Sequence, residues 1–121
     1  MKILLVENSK NIRKILKGIL HHLGYNKIVE ADNGRIALTL LKKEKINLII
    51  SSWYIPKISG LDLLKAVRSD KSLNSTPFFM ITYQAEKEKI ISALEAGVSR
   101  YILMPFTSEV LKKNIDEIFT R

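Results

Sequence analysis

Asn47-Leu-Ile-Ile-Ser-Ser-Trp-Tyr-Ile-Pro56, with Gly60 close behind, is the stretch that decides the fold. Its first half is a short apolar run bounded by polar residues, the pattern of a strand buried on both faces of a parallel sheet. Pro56 has no N–H to give to a ladder, so the chain must leave the sheet between Ser52 and Pro56. In open α/β sheets the carboxyl end of a central strand is where ligands and chemistry sit. Ser52 stands at that tip, and what a serine can do there governs the functional reading.

Working outward, strands alternate with helices. Lys2 to Val6 is a short apolar strand, and Ser9 is placed to cap a following helix through its hydroxyl. Ile12, Ile15, Leu16, Ile19, Leu20 and Leu23 form one helical stripe that Gly24 stops. A second strand near Lys27 to Ala31 leads to the turn signal Asp32-Asn33-Gly34. Ile36, Ala37, Leu40 and Leu41 stripe the second helix, which runs into Lys42-Lys-Glu-Lys45.

Beyond the central stretch, Leu61, Leu64 and Val67 mark a third helix ending near Ser69-Asp70. Pro77 to Thr82 reads as a fourth buried strand. Ile90, Ile91 and Leu94 stripe a fourth helix closed by Ala96-Gly97. Ser99 to Leu103 is a fifth strand, stopped by Met104-Pro105. Leu111, Ile115 and Ile118 stripe the last helix, with Thr107 or Ser108 as its cap. Such alternation implies right-handed βαβ units and a parallel sheet covered on both faces.

The bulk numbers agree with one domain over 1–121, long enough to bury a core. A hydrophobic content of 46% with 26% charge excludes the disordered and fibrous classes. No apolar run approaches the roughly 20 residues that span a bilayer, and the amino terminus is too short in apolar residues for a signal peptide. Without cysteine there is no disulfide framework or thiolate metal site, and the expected home is the cytoplasm. A net charge of +8 points to anionic partners.

The residues now in view resemble the receiver domain of bacterial response regulators, most closely the single-domain chemotaxis regulators of the CheY type. The likeness runs nearly end to end: Leu5-Val6 before a polar pair, Ile50-Ser-Ser-Trp-Tyr-Ile-Pro56 with Gly60-Leu-Asp-Leu-Leu64, Met80-Ile-Thr82, Ala96-Gly97, and Tyr101-Ile-Leu-Met-Pro-Phe106. It implies a flavodoxin-like, doubly wound sheet of five parallel strands in the order 2-1-3-4-5 with five helices. It also implies a phosphoryl group accepted from a histidine kinase by an aspartate at the third strand's tip. An acidic pair after the first strand helps that aspartate hold Mg²⁺. A hydroxyl after the fourth strand and a lysine before the proline, at a bond the resemblance implies is cis, contact the phosphoryl oxygens, and an aromatic on the fifth strand repacks. A carboxylate nucleophile and positioned positive charge are what that chemistry needs.

Carried over position by position, the chain departs where the chemistry is. Glu7 keeps the first acid, but Asn8 is neutral, Ser52 replaces the phosphoacceptor and Met104 replaces the lysine. Thr82 and the switch aromatic Tyr101 are retained. Three carboxylates and a lysine sum to a formal charge of about −2, whereas Glu7 alone leaves about −1, and Mg²⁺ wants carboxylate oxygens. Ser52 has no histidine nearby in the pattern and lies in no Gly-x-Ser-x-Gly elbow. The expectation is a degenerate receiver, not an enzyme, with weak or absent Mg²⁺ binding.

A protein partner is expected on the face the family uses, here carrying Lys87, Ile90, Tyr101, Lys112 and Lys113. A histidine kinase, a flagellar switch component or another receiver would suit that resemblance. Two rival readings are a response regulator phosphorylated at a different residue and a basic nucleic-acid-associated module. Lys10, Arg13, Lys14 and Lys17 form a basic stripe on the first helix with no acid among them. No nucleic-acid signature or interleaved aromatic row accompanies it.

Overall fold

The computed structural model describes residues 1–120. Its strands are β1 (Lys2–Val6), β2 (Lys27–Ala31), β3 (Leu48–Ser52), β4 (Phe78–Thr82) and β5 (Arg100–Leu103). They alternate with helices α1 (Lys10–His22), α2 (Gly34–Lys43), α3 (Gly60–Ser69), α4 (Lys87–Glu95) and α5 (Ser108–Phe119). All four pairings are parallel, as the alternation implies, and the order is 2-1-3-4-5, as the resemblance implies.

Every residue of β3 and β4 is buried, which is why these strands read as unbroken apolar runs. Alternate side chains feed two cores. Leu4, Val6, Ile49, Phe78 and Met80 face one side with Leu63, Leu64 and Val67 of α3. Ile3, Leu5, Ile50, Phe79 and Ile81 face the other with Leu16 and Leu20 of α1 and Leu111 and Ile115 of α5. Among the described residues no helix is long and apolar enough to cross a membrane.

The caps are local chemistry. Ser9 accepts from the Ile12 N–H at 3.2 Å, and Asn33 accepts from the Ile36 N–H at 2.9 Å, so the expected Asp32-Asn33-Gly34 turn is itself the start of α2. Thr107, not Ser108, caps α5. Gly24 follows α1 with φ of +95°, a left-handed conformation that favours glycine.

Three helix faces differ from the periodicity. Ile15 is 63% exposed, because Leu16 and Leu20 take the seam against the sheet and Ile12, Ile19 and Leu23 flank it. On α4 the buried residue is Ala93, while Ile91 and Leu94 are exposed. Ile36 likewise lies outside the seam of Ala37 and Leu41 on α2. An apolar stripe shows which side of a helix faces the sheet, but not how much of that side the sheet covers.

Candidate functional site

β1, β3 and β4 end side by side at Val6, Ser52 and Thr82, so residues at and just beyond those tips share one pocket. It has a volume of about 190 Å³ and takes in Glu7, Ser52, Thr82 and Met104 together with Trp53 and Tyr83. Four of the five residues expected there are therefore brought together. Asn8 is not: it is exposed, and its backbone carbonyl accepts from Arg13 at 3.3 Å.

The loop leaving β3 is fixed by backbone contacts. The Gly60 N–H donates to the Trp53 carbonyl at 2.7 Å, and the Gly34 N–H donates to the Pro56 carbonyl at 3.2 Å. A Cβ on Gly60 would lie 2.2 Å from the Ser52 carbonyl oxygen, so only glycine permits α3 to start this close to the strand tip.

Glu7 and Ser52 are each only 6% exposed. The Ser52 hydroxyl donates to Glu7 Oε1, and the Ser9 N–H donates to Glu7 Oε2 at 2.6 Å. Both carboxylate oxygens thus hold a donor supplied by the chain, beside the amino end of α1 where negative charge is favoured. The sequence offered Ser52 no histidine as a base, and the structure gives it a carboxylate. Toward an alcohol that is a weak base, and a phosphoryl group on Ser52 would lie against the Glu7 charge with a thioether at Met104 in place of a cation.

The donors do not fit a divalent magnesium site. Mg²⁺ takes a near-octahedral shell of oxygens anchored by carboxylates. Here there is one carboxylate, already hydrogen-bonded at both oxygens, and a serine whose proton is turned toward it. Among the described residues, no group of three His, Cys, Asp or Glu side chains comes together.

Across the pocket, the β4–α4 loop is clasped at Gln84 from two sides. The Gln84 N–H donates to Thr82 Oγ1 at 3.1 Å, and the Tyr101 hydroxyl donates to the Gln84 carbonyl at 2.7 Å. The Tyr101 ring meets Trp53 edge to face, 6.5 Å between centroids. Burial pushes the Tyr101 phenol above its ordinary value, with Glu86 and Tyr54 adding to the effect. The Lys89 ammonium lies 5.1 Å from the centre of Trp53 and 5.3 Å from that of Tyr54. Its pKa is raised, first by the Tyr54 hydroxyl. Sequence reading missed Ser9, Gln84 and Lys89 as members of this site. Ser9 and Gln84 act through backbone atoms, which carry no residue signature.

The expected partner face lies on α4, β5 and α5. Lys87, Lys112 and Lys113 are exposed, Ile90 and Tyr101 half-buried, and Lys112 pairs with Asp116 at 2.6 Å. Leu94 and Leu103, exposed on α4 and β5, add apolar surface that the sequence reading had not included. The basic stripe of α1 is less free than it read, since Glu30 of β2 pairs with Arg13 at 3.0 Å and Lys17 at 2.9 Å.

Residues 3–116 match the model of the response regulator receiver domain. The chain belongs to that family. Across its whole length it is 45% identical to the chemotaxis protein CheY-3 of Vibrio cholerae, covering 93% of that protein. It is 41% identical to the chemotaxis protein CheY of Pseudomonas aeruginosa, covering 98% of it. The crystal structure of the chemotaxis response regulator CheY4 of Vibrio cholerae superposes with a TM-score of 0.88 at 30% identity, over 98% of both chains. This receiver is of the CheY type, with the Met104-Pro105 peptide bond cis.

Proposed function

We propose that this receiver signals by protein–protein contact without aspartyl phosphorylation, and that Mg²⁺ binding is weak or absent. The observation that carries the reading is the Ser52 hydroxyl donated to Glu7 where a receiver's chemistry calls for a second carboxylate. With Asn8 turned out to solvent and a thioether at Met104, neither the nucleophile, the metal shell nor the lysine has its counterpart. Any partner face on α4, β5 and α5 would then be set by the chain's own Gln84 clasp and Trp53–Tyr101 contact. A ligand moves a two-state fold only by its differential affinity for the states, so here the bias comes from partner binding or abundance. Kinases, flagellar switch components and other receivers are the candidate class of partner.

Trp53, buried next to Ser52 and against Tyr101, reports on this pocket. Its fluorescence is expected to stay flat through millimolar Mg²⁺, beryllofluoride and acetyl phosphate, with no mass gain after the phosphodonor. A saturable response, or a hydroxylamine-labile phosphoryl group, would sink the proposal.

A further inference from the structure

The outer side of α1 and the edge strand β2 enclose an open groove of about 670 Å³. Four cations of α1 line it, Lys10, Arg13, Lys14 and Lys17, against one acid, Glu30. Arg13 and Lys17 are occupied with that acid, and Arg13 also donates to the Glu7 carbonyl at 2.8 Å. Lys10 and Lys14 are exposed and make no ion pair among the described residues. Gly18 lies in the middle of this wall. A glycine inside a helix costs stability relative to alanine. Apart from its chain neighbours and the backbone of its own helix, no atom lies within 4 Å of where its Cβ would be, so packing against the rest of the protein gives no reason for it. The space it leaves opens into the groove, where an incoming backbone could approach.

We propose that this groove docks a short acidic segment of a partner protein, its carboxylates on Lys10 and Lys14 and its main chain passing over Gly18. From Lys10 to His21 the helix runs about 16 Å at roughly 1.5 Å per residue. That matches about five residues of extended peptide. A second copy is disfavoured, since each chain carries +8. A nucleic acid fits less well: no Phe, Tyr or Trp lines the groove to stack successive bases, His21 being its one ring, and Glu30 would face the phosphates with like charge. A peptide N–H can instead donate to Glu30. The proposal rests on α1 and β2 alone and would stand if the reading of the β3 pocket fell.

The test is fluorescence anisotropy on the whole chain with a labelled hexapeptide carrying four glutamates. Binding is expected to weaken with salt, as screened charge requires, and to fall at least tenfold in the Lys10→Glu, Lys14→Glu double variant. Gly18→Leu is expected to weaken it similarly while melting no lower than the parent. Equal binding by the peptide with four glutamines would overturn the proposal. So would a folded Gly18→Leu protein that binds as the parent does, or a single-stranded oligonucleotide of equal charge that binds more tightly through the same lysines.

Discussion

The mouth of the sheet and the outer flank of α1 carry their charge in opposite ways. At the mouth one carboxylate, Glu7, is buried and holds hydrogen bonds from Ser52 and Ser9. On the flank four cations face one acid, and two of them, Lys10 and Lys14, stay open to solvent. Charge satisfied within the chain supports the fold and leaves little for a ligand. Unpaired charge in an open groove adds little to the fold and is available to a partner. The lesson is that net charge alone does not locate function; the pairing of each group does.

The sharpest break in the comparison comes from two glycines. Gly60→Ala places a Cβ 2.2 Å from the Ser52 carbonyl oxygen and 2.9 Å from the Trp53 Cα, both backbone atoms that cannot swing away. The expected cost exceeds about 3 kcal/mol by chemical denaturation, through overpacking at a site with no room to relax. The same substitution at Gly18 meets nothing and should raise the melting temperature instead. A Gly60→Ala protein as stable as the parent would mean that the strand tip has room to move away from α3.

A smaller effect tests whether the mouth is closed by its own hydrogen bonds. Ser52→Ala removes a donor from a buried carboxylate, and a hydrogen bond to a charged group is worth roughly 1.5–3 kcal/mol. Ser51→Ala is the control, because its hydroxyl donates only to a backbone carbonyl, at 2.9 Å, where roughly 0.5–1.5 kcal/mol is expected. If both variants lose the same small amount in urea melts, Glu7 is not relying on Ser52.

Much of this was legible in the residues. The five strands were readable because two are buried on both faces and the helix stops are chemical, Gly24 above all. Ser52 was readable at a strand tip from Pro56 alone, whereas Glu7 and Thr82 were assigned to the pocket by the family resemblance; parallel register brings the three strand ends together. What escaped was lateral: Ile15, Ile91 and Leu94 belong to apolar stripes wider than the seam the sheet covers. The partner of Arg13 and Lys17 lies on another element, and no pattern within α1 could reveal Glu30. The Gln84 clasp uses a backbone N–H and carbonyl, which any residue would supply.

The smallest effect concerns Glu30, where the two kinds of charge meet. A hydrogen bond from Lys17, aided by Arg13 against some loss of solvation, holds its carboxyl below the ordinary value of 4.5. Glu30 is ionised more readily in the fold than in the unfolded chain, so its contribution is complete above about pH 4.5. It is lost as the pH falls through the depressed folded value, where the unfolded chain has already taken up the proton. Because the pair is partly exposed, Glu30→Gln should cost only a few tenths of a kcal/mol at neutral pH, less in high salt. The deficit relative to the parent should close as the solution is acidified. The same variant releases Arg13 and Lys17 into the groove while keeping an acceptor oxygen, so it should bind the acidic hexapeptide more tightly as it becomes slightly less stable. Stability and affinity moving together would mean that the pairing of Glu30 does not divide the charge of α1 between fold and partner.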